Sequence, residues 1–308
     1  MAQSETLESG LLSPRQLAQA IGVSESSLKR WCDKGHIPTL CTPGGHRRIP
    51  LSGALQFIRA EQHRVVCPEL LGLPSDAGQM RLSLDSACHR LVEALTTGDE
   101  TTARQIVLDA YLRGRSAAEL CDRLMCPALK HIGKLWECGD VEVYQERRSC
   151  GICRRLLNEI RGMLPLPAAN APVAIGGTPA GDVYELPTTA VELALRERGW
   201  NAVSLGSSLP FATLTAAIEK QRPKLFWLSV SYLVDEDKFI EEANCFAARL
   251  AEMNAAFAIG GHDLTENVRG QLSGVLYCSN LTDLIRILDD KQLNPFAPPR
   301  AVTVDAVD

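Results

Sequence analysis

Apolar residues recur along this chain with different periods, and the points where the period changes divide it into regions. Near the start, Leu17, Ala18 and Ile21 repeat at helical spacing behind Ser13 and Pro14, a cap and a first-turn residue, and Gly22 ends the run. Ser24 caps a second predicted helix over 24–33, in which Leu28 and Trp31 point inward while Ser26, Ser27, Lys29 and Arg30 point outward. After Gly35, Ile37-Pro38 leads into a hairpin with the turn Thr42-Pro43-Gly44-Gly45, and the following strand presents His46, Arg47 and Arg48. The pattern is that of a helix-turn-helix with a wing, its second helix free to enter a major groove.

The run from 67 to 80, CPELLGLPSDAGQM, reads as a linker from its Pro, Gly and Ser content, and LPLPAANAP at 164–172 reads as a second. Between them the apolar spacing is helical throughout: 84–95, 103–112 after the Gly98-Asp99 break, a long helix opened by Ser116 and running to about 136, and 143–163. Four helices in this length predict a bundle. From 173 onward, short apolar strands at 173–175, 203–205, 225–230, 257–259 and 275–277 alternate with helical stretches near 186–198, 211–220, 238–253 and 281–288. That alternation predicts a doubly wound, flavodoxin-like (Rossmann-like) parallel sheet, with binding chemistry at the carboxyl ends of its strands. The expected organisation is multidomain: 1–66 winged helix-turn-helix, 67–80 linker, 81–163 four-helix bundle, 164–172 linker, 173–293 α/β domain, 294–308 loose tail.

Charge sharpens the first region. The chain of 308 residues is acidic overall, with formal charge −5, yet between Leu11 and Val66 eight Lys or Arg stand against three Asp or Glu. The positive charge therefore sits where the groove-binding pattern sits. Arg47 and Arg48 suit a phosphate backbone because a guanidinium pairs with two oxygens at once, and an arginine also fits a narrow minor groove. Trp31 is expected to anchor a small core. The candidate DNA-binding residues are Ser24, Ser26, Ser27, Lys29, Arg30, Thr42, Gly44, Gly45, His46, Arg47 and Arg48. No signal-like segment and no membrane-length apolar run is seen, which predicts a cytoplasmic protein without membrane contact. Eleven scattered cysteines do not form a disulfide framework. Cys150-Gly-Ile-Cys153 has a spacing found in zinc and thiol sites, but no second close pair completes four ligands, and no metal site is assigned.

The string RW…G.IP…TPGGHRR resembles the winged helix-turn-helix of the MerR superfamily, which implies a recognition helix and a wing straddling the duplex. The order helix-turn-helix, bundle and α/β domain resembles the cobalamin-binding photoreceptor repressors of that superfamily. In that family the bundle supplies a Trp and, after nine residues, Glu-His over the upper face of the cofactor. Here Trp136 is followed after nine residues by Glu146 and Arg147. The α/β domain of the family carries an acidic residue, any residue, and then the histidine that ligates cobalt from below. The corresponding residues here are Asp182, Val183 and Tyr184. Further landmarks are Leu205-Gly206 with Pro210, Ser229 and Ser231, and Gly260-Gly261, where small residues would leave room for a nucleotide tail; His262 follows directly.

Cobalt takes imidazole nitrogen readily, whereas neutral tyrosine, with a reference pKa near ~10, ligates it poorly. Histidine-ligated cobalamin is therefore disfavoured. The alternatives are cobalamin without a protein ligand, another tetrapyrrole such as haem (with Tyr184 and His131 or a bundle cysteine) or a bilin, or a vestigial pocket acting through protein contacts. Cys138, beside Trp136, is the candidate for covalent chromophore attachment. The resemblance implies a homo-oligomeric (dimeric or tetrameric) transcriptional repressor, not an enzyme. Its affinity for double-stranded operator DNA would depend on a tetrapyrrole in a cleft between bundle and sheet domain, with light as a further input. A corrinoid methyl carrier is the rival class, and it lacks a partner catalytic domain here.

Overall fold

The computed structural model describes residues 10–75, 77, 78 and 82–293. The chain divides into two compact units, Met1–Leu166 and Pro167–Asp308, and the boundary falls inside the 164–172 stretch.

The first unit opens with β1 (Leu11–Leu12), α1 (Pro14–Ile21) and α2 (Glu25–Asp33), followed by β2 (Leu40–Cys41), β3 (Arg47–Pro50) and α3 (Leu51–Ala60). Ser13 caps α1 through a reciprocal capping box with Gln16, and Gly22 takes the left-handed conformation that stops it. Ser24 caps α2 by accepting from the Ser27 amide. The strands form an antiparallel sheet in the order β1-β3-β2, with Leu40 opposite Arg48 and Cys41 opposite Arg47. Leu17, Ile21, Leu28, Ile37, Ile49, Leu55 and Ile58 fill one core beneath these elements.

That core also takes in residues that composition assigned to a linker. A 3-10 turn at Pro68–Leu71 buries Leu71, and Leu73 and Ala77 join the same cluster. The 67–80 stretch is thus packed rather than loose where it is described, because its three apolar side chains remove more surface from water than its Pro and Gly content suggests. Residues 76, 79 and 80 of that stretch lie outside the described residues.

The bundle consists of α4 (Leu84–Thr97), α5 (Glu100–Leu112), α6 (Ala117–Leu120), α7 (Cys126–Glu137) and α8 (Val143–Met163). The sequence pattern predicted one helix from 116 to 136. The structure instead interposes a π-helical turn, Cys121–Met125, closed by the Cys126 amide reaching Cys121 O five residues back. Pro127 is the physical reason: it has no N–H to donate, and its ring crowds the carbonyl one turn before it, so the preceding turn widens.

The second unit is a five-stranded parallel sheet, order β5-β4-β6-β7-β8, made of β4 (Val173–Gly177), β5 (Asn201–Ser204), β6 (Leu225–Ser229), β7 (Ala256–Gly260) and β8 (Leu276–Tyr277). The helices are α9 (Glu185–Glu197), α10 (Phe211–Gln221), α11 (Glu236–Glu252), α12 (Glu266–Gln271) and α13 (Leu281–Asp290). This is the flavodoxin-like strand order. Alternation along β6 sends Phe226 and Leu228 into a cluster with α10 and α11, which includes Phe211, Phe239 and Phe246. Helix α12 was not read from the sequence. The 294–308 tail lies outside the described residues.

Candidate functional site

The basic surface of the first unit is built on α2 and the β2–β3 hairpin. Ser24, Ser26, Lys29 and Arg30 are exposed on α2, and Ser27 is half-buried by its bonds to the cap. Lys29 pairs with Glu25 one turn earlier at 2.7 Å. Trp31 turns the other way, its ring 5.3 Å from Phe57 and 5.3 Å from His63, which is the anchoring role expected of it. The hairpin turn is held by Thr42, whose amide reaches His46 O and whose hydroxyl accepts the His46 amide. Gly45 sits at φ 77 in this turn, a conformation that excludes a side chain at little cost only for glycine. Gly44 and His46 are exposed at the tip. Arg47 reaches back to Asp33 at the end of α2, 2.5 Å away, so the wing and the helix are tied together. The Arg48 guanidinium folds onto Arg47 O at 3.1 Å.

At one end of the bundle, α7 finishes and α8 begins. Trp136 is 49% exposed there, and Val143 and Tyr144 on the first turn of α8 are exposed as well. Isolated exposed apolar side chains are ordinary; here an exposed Trp and an exposed Tyr stand on consecutive elements. Glu146 lies one turn further on, half-buried, accepting from the Cys150 thiol at 3.3 Å and paired with Arg147 at 3.4 Å. Cys138 caps α7 and is exposed, as is His131. Burial pushes the Cys150 thiol up to about 12, helped by the neighbouring Glu146 carboxylate, and burial does the same to Cys153. These thiols stay protonated at neutral pH. Among the described residues no group of three or more His, Cys, Asp or Glu could hold a metal ion.

In the second unit, the loop after β4 folds down over the strand ends around Asp182. Its carboxylate accepts the amides of Ser231 at 2.6 Å, Tyr232 at 3.2 Å and Tyr184 at 3.0 Å, and the residue is fully buried. Thr178 closes the loop by donating to Asp182 O and accepting the Ser208 amide. Tyr184 caps α9 and is 39% exposed, close in sequence to exposed Val183. Ser229 is buried at the end of β6, and Ser231 is half-buried two residues on.

Comparison with known proteins finds two matching families, both within the first unit. The helix-turn-helix domain family matches residues 11–61, and the B12 binding domain family matches residues 87–161. The chain joins a helix-turn-helix domain to a B12-binding domain. It is homologous to the HTH-type transcriptional repressor CarA of Myxococcus xanthus, at 25% identity over 70% of this chain and 75% of that protein. Among solved structures, the monomethylamine corrinoid protein of Methanosarcina barkeri superposes with a TM-score of 0.55 at 15% identity, covering 67% of this chain and 98% of that one. That likeness establishes the shared fold of helical region and parallel sheet.

Whether these residues suit a corrinoid differs between the two units. The end of α7 and the first turns of α8 offer exposed Trp136, Val143 and Tyr144 and the half-buried Glu146. The sheet domain offers no imidazole two residues after Asp182. Tyr184 holds the position where the family resemblance implies a histidine. At the glycines expected to leave room, backbone packs close on the Cβ side: a Cβ on Gly260 would lie 2.6 Å from Cys278 O, and one on Gly261 would run into the Val230 backbone. Their missing side chains serve close strand packing, not a slot. His262, expected to line a cleft, is 88% exposed and faces solvent. Trp227 and Thr188, which close the sheet face below this loop, were missed because a buried apolar strand signals burial and nothing about which neighbour it meets. Among the described residues no helix is long and apolar enough to cross a membrane.

Proposed function

We propose that this protein is a DNA-binding transcriptional repressor whose operator affinity is set by a corrinoid held on the B12-binding bundle. One observation carries the reading: the DNA-reading head and the bundle share a core. Leu112 of α5 is buried among the helix-turn-helix residues, and Arg59 of α3 bonds to Tyr111 O and Arg115 O. A ligand that repacks the bundle would therefore act directly on the element that carries Arg30, Arg47 and Arg48. Homology to a transcriptional repressor supports the output, and the B12 binding domain supports the input.

In this reading Arg30, Arg47, Arg48 and Lys29 engage phosphates, Ser26 and Ser27 face base edges, and the hairpin tip from Thr42 to His46 enters the minor groove. Trp136, Tyr144 and Glu146 would hold the corrinoid, which would supply a cobalt centre able to change its ligands. Cofactor-dependent pairing of two or four copies would set the spacing of the reading heads. Light enters as a modulator of the bound cofactor. Haem and bilin lose ground to a corrinoid because the matched domain is of the B12-binding type. The methyl-carrier alternative draws on fold likeness alone.

The test is a fluorescence-anisotropy titration of the full chain on a duplex selected from a random pool. It is run in the dark and after illumination, with cobalamin, haem, biliverdin or no addition. A cobalamin-specific change in affinity of about tenfold or more is expected. Equal affinity in every condition would overturn the proposal.

A further inference from the structure

On the face of the parallel sheet covered by α9, the largest buried side chain of the central strand is Trp227. Trp227 lies on β6 in register with Gly176 on β4 and Ala258 on β7, so the smallest residues flank the largest. The indole lies across Gly176 so closely that any Cβ there would collide with it. Its N–H donates to Thr188 Oγ1 on α9 at 2.9 Å, and Trp227 is 2% exposed. Thr188 continues into a bonded set: its hydroxyl meets Ser204 Oγ at 3.0 Å, and the Ser204 amide donates to Glu192 at 3.1 Å. Glu192 in turn pairs with Arg196 at 3.2 Å. Between sheet and helix, buried Trp227 and Thr188 are thus joined by hydrogen bonds to Ser204 and through it to Glu192.

At the strand ends above it, backbone packs closely on backbone. A Cβ on Gly177 would lie 2.8 Å from Gly206 O, and Gly260 and Gly261 are blocked by Cys278 O and the Val230 backbone. Asp182 staples the loop across this end through three amides. Lifting that loop to admit a ligand group would strand a buried carboxylate.

A benzimidazole is a fused bicycle of the same size as an indole, and only one of the two can occupy this layer. We infer that the sheet domain excludes the nucleotide base of a cobalamin, so that the corrinoid this chain takes keeps its base on its own cobalt or has no base at all. Trp227 is the plug. The inference rests on the corrinoid reading given above and narrows it to the class of corrinoid and its coordination.

The experiment uses the full-length protein with Co(II) cobalamin and with Co(II) cobinamide, which lacks the nucleotide. Affinity is measured by equilibrium dialysis, and coordination by electron paramagnetic resonance, in which the base nitrogen splits the cobalt signal. The two corrinoids are expected to bind with dissociation constants within about threefold of each other. Bound cobalamin is expected to keep the splitting from its own base. Cobalamin binding about tenfold or more tighter than cobinamide, or loss of that splitting on binding, overturns the inference while leaving the corrinoid reading intact. Binding of neither corrinoid overturns both.

Discussion

The guanidinium of Arg59 lies 3.8 Å over the ring of Tyr111 and donates, through Nε, to the carbonyl of the same residue at 3.0 Å. Its Nη2 reaches Arg115 O at 2.9 Å. One side chain of the helix-turn-helix domain thus holds both the face and the backbone of a bundle helix at its end. The Arg59→Ala variant loses the ring contact and leaves carbonyls at the end of α5 without that donor. A loss of about 1–3 kcal/mol is expected in global stability. Differential scanning calorimetry should then resolve two transitions where the wild type of unit Met1–Leu166 gives one. A single transition at unchanged temperature would mean that the apolar packing of Leu112 and Met163 joins the two parts without Arg59.

The exposed arginines of α2 and the wing should act without regard to base sequence. Arg30→Ala and Arg48→Ala are each expected to weaken binding to specific and unrelated duplexes alike, and to lower the slope of log affinity against log salt by about one. Asp33→Ala releases Arg47 from its partner 2.5 Å away, so it should widen the wing's motion while removing a negative charge. Ser26→Ala, by contrast, should alter base preference with an unchanged salt slope. Anisotropy titrations from low to moderate salt separate the two kinds of effect.

How far the sequence was legible follows from how local each signal is. Ser13, Gly22 and Ser24 act on amides within one turn, and Thr42 closes a hairpin four residues long, so helix ends and wing could be read residue by residue. The five strands of the α/β domain were also legible, since a strand covered on both faces must be continuously apolar. The π turn before Pro127 was hidden because the helical period survives it almost unchanged. The packed state of 67–75 was hidden because breaker residues mask the buried Leu71 and Leu73. The function of Trp227 was invisible for a different reason: its partners Gly176, Ala258 and Thr188 are set by the register of parallel strands, which no short stretch of sequence encodes. The same non-local packing turned Gly260 and Gly261 from an expected slot into contacts between backbones.

Cysteine reactivity should divide by burial. Burial pushes Cys278 up to about 12, as it does Cys150 and Cys153, so all three are expected to resist iodoacetamide at neutral pH in the folded protein. Cys41, Cys138 and Cys245 are exposed and should be modified first, which mass spectrometry of tryptic peptides can order. Protection of Cys138 on adding cobalamin would place the ligand at the bundle end beside Trp136. Rapid labelling of Cys153 in the native protein would contradict the packing of α8 against the bundle.

Asp182 ties fold to pH. Burial pushes its carboxyl up from the ordinary value, against the pull of the Ser231, Tyr184 and Tyr232 amides, and Asp263 nearby adds to the rise. The folded state therefore holds the proton more tightly than the unfolded chain does. This contribution to stability is fully present below the unfolded value and is lost as pH rises through the folded one. The Asp182→Asn variant cannot titrate, and its NH2 group would face amides that need an acceptor. It is expected to be less stable by about 1–3 kcal/mol. Stability of the wild type minus that of the variant should fall as pH is raised from about 3 to 6, the carboxylate range. Carboxylates held down by cations, such as Glu100 beside Arg155, change stability in the opposite sense, but both proteins share them and they cancel in the difference. Urea melts at several pH values give that difference directly. A difference that instead grows with pH would mean the three amides outweigh burial and hold Asp182 ionised.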